Sequence, residues 1–356
     1  MDFVINHKRF KKRYKNELPE NLKTHRTAIR QFPQRSDNYF NFFSTFAPNN
    51  YQLINNPCLC GYKHDVFLSQ TDRHGINFDT VVCLDCGLIR AKDYFREEDV
   101  TDFYSNHYRK IDYSAAENVL TPENFFEQQS LESKYKYELI KKLSPDGLQN
   151  KKIVDVGGGI GGVLSHFDKS NELFVFDFFD PFLEYANTRG ITAVKGGLES
   201  INFKPDVIIL SHVIEHWNNF DREIKKLIDI QEIGKTLNYI EFPGVDSVKL
   251  GRRGGDILGD IHVPHVYYFT SYVFENLMNR FGFEKIYLDS SIKSIFVYTG
   301  NRHSLVNHYN KVQKDLRLGE RRRVLQIWTN VVRSFIPNFI WIRLQKLVHI
   351  PSELQT

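Results

Sequence analysis

The sequence predicts an α/β fold, a doubly wound and mostly parallel sheet, preceded by a small cysteine-bearing module and followed by a helical tail. Three observations predict it. Short apolar runs alternate with helical segments between about 150 and 300. A glycine cluster directly follows the first of those runs, and all four cysteines fall within 58–86. The 356 residues suit two domains, or one large domain with additions. A composition of 41% hydrophobic and 25% charged residues is that of a globular chain and excludes a disordered one. No run reaches the ~18 uncharged apolar residues of a membrane span, and the first residues lack a signal-peptide apolar core. A cytoplasmic location is therefore expected. The chain divides into a basic arm (1–50), the cysteine module (51–115), the α/β domain (116–300) and a basic amphipathic tail (301–356).

Charge is uneven. Residues 1–50 hold 10 Lys+Arg against 4 Asp+Glu, and residues 301–356 hold 10 against 3, so the middle of the chain is acidic. Basic tails of this kind seek anionic lipid, nucleic acid or an acidic partner. In the last of these segments Arg321-Arg322-Arg323 opens a helix with Val324, Ile327, Trp328, Val331 and Phe335 on one face, kinked at Pro337, with Phe339–Val348 continuing the apolar character. Its uncharged runs are too short to span a bilayer, but it can lie on a membrane surface or dock on a partner.

Cys58, Cys60, Cys83 and Cys86 form two close pairs separated by a loop, the way a chain brings four thiolates to one tetrahedral zinc. Gly61 and Gly87 follow the pairs and permit tight knuckles. The first pair is one residue shorter than the second, so His64 is a substitute ligand should Cys58 not reach. Four ligands close the site, and the zinc is expected to be structural. Residues 66–82 read as strands around a turn at Asp72–Gly75. Phe103, Tyr104, His107, Tyr108 and Tyr113 form an aromatic cluster suited to lining a cleft.

Ile153-Val154-Asp155-Val156 is a strand entering Gly157-Gly158-Gly159-Ile160-Gly161-Gly162, and Val163–Phe167 is expected to begin a helix. A second strand ends at Asp177, placed for ribose hydroxyls. The glycine spacing alone admits a dinucleotide. Asp155 decides between cofactors, because a carboxylate beside the turn repels a pyrophosphate and attracts the α-ammonium and sulfonium of S-adenosylmethionine. Further strands are expected near 191–194, 205–210, 237–241, 285–288 and 294–298, with a helix from about 221 to 231. Cofactor contacts are assigned to Asp155, Gly157, Gly159, Asp177, Leu198, Glu199 and Ser211, all at carboxyl ends of strands.

Asp155-Val-Gly-Gly-Gly-Ile-Gly, Asp177 and Ser211-His-Val-Ile-Glu-His216 resemble the class I S-adenosylmethionine-dependent methyltransferases over about 120–300. With the cysteine knuckles, the chain is similar to bacterial methyltransferases of sugar and surface-polysaccharide biosynthesis. The resemblance implies a Rossmann-like seven-stranded methyltransferase sheet, cofactor binding by Asp155, Gly157, Gly159 and Asp177, and a saccharide or nucleotide-sugar substrate. The sugar C-methyltransferases carry a tyrosine and a glutamate before the histidine of a later loop. Here the loop reads Asp260-Ile261-His262-Val263-Pro264-His265, which directs transfer to oxygen.

His212, Glu215 and His216 form H-x-x-E-H after a buried strand, so a protease helix is excluded and the histidines become base candidates. His216 and His212 are assigned the proton-accepting role, with His265 as a further catalytic candidate. The same residues, with His262 or His265, are also a potential ligand set for a divalent metal. The glycine-rich segment 251–259, with Arg252 and Arg253, is read as a lid that closes on a substrate phosphate. The rival readings are a zinc-containing RNA methyltransferase, a non-catalytic cofactor-binding scaffold and an NAD-dependent sugar oxidoreductase. The acidic middle disfavours nucleic acid.

Overall fold

The computed structural model describes residues 38–108, 111, 121–144 and 147–335. The basic clusters before residue 38, Tyr113, the expected kink at Pro337 and the segment Phe339–Val348 lie outside the described residues. Among the described residues thirteen strands are distributed over three sheets.

The largest sheet has seven strands in the order β12-β13-β10-β9-β6-β7-β8. Five run parallel: β6 (Lys152–Val156), β7 (Glu172–Asp177), β8 (Thr192–Lys195), β9 (Val207–Ser211) and β10 (Leu237–Glu241). A hairpin of β12 (Phe283–Leu288) and β13 (Lys293–Tyr298) adds antiparallel to β10. This is the α/β, mostly parallel sheet that the alternation of runs predicts. Alternate side chains feed a core on each face, with Val154, Ile208 and Ile240 on one side and Ile153, Ile209 and Tyr239 on the other. Strand order reverses between β6 and β9, the crevice where open parallel sheets bind ligands.

Helices flank the sheet where the sequence supplies caps and apolar stripes. In α2 (Pro122–Leu143) Thr121 accepts the amide of Asn124, with Pro122 at the first helical position. α3 spans Asp180–Thr188. In α4 (Phe220–Asp229) Asn219 caps the amide of Arg222, and Phe220, Ile224 and Leu227 make one buried face. α5 is Ser271–Arg280, capped by Thr270. The helix expected after the glycine turn is absent: Gly162–His166 is a short 3-10 turn that stops at Phe167. Its place is taken by α2, packed so closely that a side chain at Gly162 would meet the backbone of Ser130 at 2.7 Å.

The cysteine module is built on β2 (Asp65–Thr71), β3 (Asn77–Cys83) and β4 (Ile89–Ala91), with β1 (Leu53–Asn55) and β5 (Asp93–Phe95) paired separately. Its four-stranded sheet is completed by β11 (Tyr267–Tyr268), pairing Tyr267 with Arg90 and Tyr268 with Ile89. Tyr39, Phe42 and Phe43 bury against the same module. α1 (Glu97–Asp102) then leads to Phe103–His107 at the cleft.

The last helix, α6 (Tyr309–Phe335), starts before the arginine run that was expected to open it. Its first half is packed: Val312 and Leu316 are buried, and Lys249 donates to Asp315. Leu325 and Trp328 are exposed. Among the described residues no helix is long and apolar enough to cross a membrane.

Candidate functional site

A cleft of about 870 Å³ opens at the carboxyl ends of β6, β7, β8 and β9. That is near the top of the range for small-molecule sites and leaves room for two ligands side by side. Asp155, Gly157, Gly159, Asp177, Leu198, Glu199, Ser211, His212 and His216 all line it.

The floor is the glycine turn. Gly157 and Gly159 have φ of 65° and 61°, which glycine adopts without strain. Gly157 donates to the carbonyl of Phe176, and Gly159 donates to Asp177 Oδ2 at 2.9 Å. Asp177 Oδ1 accepts the amides of Phe178 and Phe179. The second acidic residue therefore does two things, fixing the turn and facing the cleft. Gln129 of α2 grips the turn from behind, accepting from Gly162 and donating to the carbonyl of Gly158.

Asp155 lies directly under Gly158, where an added Cβ would come within 2.3 Å of its Oδ2. Burial pushes the Asp155 carboxyl up to about 7, while Lys136 opposes the rise and Asp177 adds to it. Lys136, from the middle of α2, donates to Ser211 Oγ at 2.7 Å and sits 3.6 Å from Glu241 Oε2. Tyr135 and Tyr239 donate to the same Glu241 carboxylate. Asp155 thus has a cation as a neighbour, which sequence reasoning missed along with Gln129 and Gly158. Nothing local marks a lysine on an otherwise ordinary helix as a site residue.

On the far side Glu199 accepts from the Gly197 amide and from Lys226, contacts that hold its carboxyl below the usual range against the push of burial. Leu198 is buried beside it.

After β9 the chain turns at His212, a non-glycine residue at φ 57°, and such strain persists only where the surroundings enforce it. His212 Nδ1 lies 3.2 Å from Glu215 Oε1. A carboxylate only accepts, so Nδ1 carries the proton and Nε2 keeps its lone pair. Burial pulls the His212 pKa down, but the Glu215 carboxylate more than offsets this and raises it overall. His216 Nδ1 lies 2.9 Å from the Pro264 carbonyl and 2.7 Å from the Tyr104 hydroxyl, and burial lowers its pKa. His265 does not line the cleft. It stands edge-on to His216 at 4.7 Å between ring centres, and burial holds its pKa well below the usual value.

The aromatic cluster divides. Tyr104 and Tyr108 line the cleft, whereas Phe103 packs in the core. The expected phosphate lid does not form. Arg252 donates to both oxygens of Asp260 and to the Gly244 carbonyl, and segment 251–259 does not line the cleft. Eight residues after Arg252, a carboxylate has captured the guanidinium. The basic groups at the rim are instead Arg222 and Lys226, held by Glu97, Glu223 and Glu199.

Away from the cleft, the four cysteine sulfurs all lie within 4.8 Å of one another, with Cys58–Cys86 at 3.5 Å and Cys60–Cys83 at 3.6 Å. A tetrahedron with metal–sulfur bonds of ~2.3 Å has edges near 3.8 Å, so the group fits a metal ion. Cys58 reaches because Gly61, at φ 87°, folds its amide back onto the Cys58 carbonyl. His64 pairs with Asp85 and stands outside the group.

Residues 127–288 match the family model described as a methyltransferase domain. No curated protein matches the chain. Among solved structures it is similar to a magnesium protoporphyrin IX methyltransferase from Synechocystis PCC 6803 with bound S-adenosylhomocysteine (15% identity, TM-score 0.37, 56% of this chain and 96% of that one). It is also similar to a plantazolicin methyltransferase with a substrate analogue and S-adenosylhomocysteine (17%, 0.36, 62% and 88%). A third is an O-methyltransferase of neocarzinostatin biosynthesis with 1,4-dihydroxy-2-naphthoic acid (16%, 0.37, 52% and 59%). Over residues 127–288 the chain carries a methyltransferase domain.

Proposed function

We propose that this chain is an S-adenosylmethionine-dependent methyltransferase that O-methylates a saccharide or nucleotide sugar in surface-polysaccharide biosynthesis. The observation that carries transfer to oxygen is His212, held in the cleft with Nδ1 on Glu215 and Nε2 left to accept a hydroxyl proton. As the C–O bond forms, the methyl–sulfur bond breaks, its electron pair stays on sulfur, and the hydroxyl proton passes to His212. His216 shapes the wall beside the acceptor.

The zwitterionic end of the cofactor matches the floor. Asp155 takes the α-ammonium, Lys136 the α-carboxylate, and Asp177 the ribose hydroxyls, with Gly157 and Gly159 beneath and Leu198, Glu199 and Ser211 around the nucleoside. A pyrophosphate would meet Asp155 instead. Tyr104, Tyr108 and Trp217 with the polar rim of Glu97, Asn218, Arg222 and Lys226 suit a sugar that stacks on one face and hydrogen-bonds at its edges. Cys58, Cys60, Cys83 and Cys86 hold a structural zinc that braces the module forming one wall. The protein works in the cytoplasm, and its basic tails meet an anionic membrane surface or a protein partner.

The test is methyl transfer from labelled S-adenosylmethionine to a panel of nucleotide sugars and free glycans, with the product bond identified by mass spectrometry. An O-methylated sugar supports the reading. Transfer only to RNA, or none with the cofactor tightly bound, overturns it.

A further inference from the structure

The loop after β9 does more than present His212. It brings Glu215 and His216 up against the segment 262–265, so that one carboxylate oxygen of Glu215, one ring nitrogen of His216 and one of His265 lie within 4.8 Å of one another. Packing alone does not account for the group. The Glu215 side chain is 2% exposed, and while Oε1 faces the two nearby histidines, Oε2 is buried without a hydrogen-bond partner. A buried carboxylate oxygen with no donor is costly unless something cationic meets it.

His216 adds a second, independent feature. A carbonyl only accepts, so the Pro264 carbonyl keeps the proton on Nδ1 and leaves the Nε2 lone pair on the Glu215 side, 3.8 Å from Oε1. Tying one imidazole nitrogen to a backbone carbonyl is how proteins orient a metal-ligating histidine. His265 stands edge-on to it.

We infer that Glu215, His216 and His265 bind a divalent cation of the first transition series, behind the cleft wall that His216 lines. Two imidazoles and one carboxylate favour such an ion over magnesium or calcium and leave coordination positions open. The inference rests on the O-methylation reading for its role: His216, which lines the cleft, and Glu215, which holds His212, would both be fixed by the cation behind the cleft wall.

The experiment titrates the full chain, stripped of loosely held metal, with Mn²⁺ followed by electron paramagnetic resonance. Mn²⁺ is a hard ion that avoids the four thiolates. One bound Mn²⁺ per chain is expected, with affinity lowered roughly tenfold or more in Glu215→Gln and in His265→Ala. S-adenosylhomocysteine affinity of both variants, read by calorimetry, should stay at the wild-type level, which a misfolded variant would not show. No Mn²⁺ bound by the wild-type chain at millimolar concentration overturns the inference, whatever the variants do. Binding undiminished in both variants also overturns it. Neither readout requires methyl transfer, so bound Mn²⁺ in a chain inactive on every glycan leaves the cation standing and removes only the saccharide acceptor.

Discussion

Cofactor affinity should depend on pH through Asp155. Its carboxyl is pushed up to about 7 by burial, with Lys136 opposing and Asp177 reinforcing, so near neutral pH the empty site is partly protonated. A ligand carrying an α-ammonium binds the carboxylate form. Below the free-site pKa, binding must release a proton, and affinity falls about tenfold per pH unit. With the pKa near 7, affinity at about pH 6 should be roughly tenfold weaker than at about pH 8. The same shift acts on folding with a defined sign. Asp155 holds its proton in the folded state from its ordinary value of 3.8 up to about 7. Stability is therefore undiminished below the lower value, is lost progressively as pH rises between the two, and is constant above, a change of roughly 4 kcal/mol. Calorimetry of S-adenosylhomocysteine binding, in buffers of different ionisation enthalpy, reads both affinity and protons released. Asp155→Asn should bind more weakly and lose the slope. A flat affinity between about pH 6 and 8 in the wild type, or an unchanged slope in the variant, refutes the reasoning.

Other changes test other parts of the site. Gly158→Ala drives a methyl group into the Asp155 carboxylate, 2.3 Å from Oδ2. A cost of about 1–3 kcal/mol is expected, seen as a fall of a few degrees in Tm, with cofactor-induced thermal stabilisation lost. An unchanged thermal shift would mean that Asp155 is not where the cofactor binds. His212→Ala should lower kcat about 10²–10⁴-fold while leaving cofactor affinity near wild type, and equal losses in both would show a structural role instead. Protein purified without chelator should contain one zinc per chain by elemental analysis. Cys83→Ser should lose it together with stability, and a metal-free wild type with an ordinary Tm would remove the zinc.

The strand–turn–strand unit around Asp155 and Asp177 was legible because its signals are local: an apolar run, glycines where φ must be positive, a second apolar run ending in a carboxylate. The paired cysteines were legible for the same reason. What escaped depended on distant packing. Lys136 and Gln129 acquire meaning only when α2 crosses the glycine turn, and that same crossing replaces the helix expected at Val163–Phe167. Arg252 read as a free cation because no local rule shows that Asp260 folds back onto it. His265 follows its motif in sequence, yet the turn at Pro264 sets it behind His216 rather than in the cleft.

The two-residue strand Tyr267–Tyr268 completes a sheet whose other members end at Ala91. During synthesis, which runs from the amino end, the edge of β4 must wait unpaired while some 175 further residues are made. An exposed strand edge of this kind is a template for pairing with another chain. The four-stranded sheet of the cysteine module is therefore complete only once residue 268 has been made. A truncated transcript ending before residue 267 should yield a sticky, aggregating fragment rather than a small independent fold.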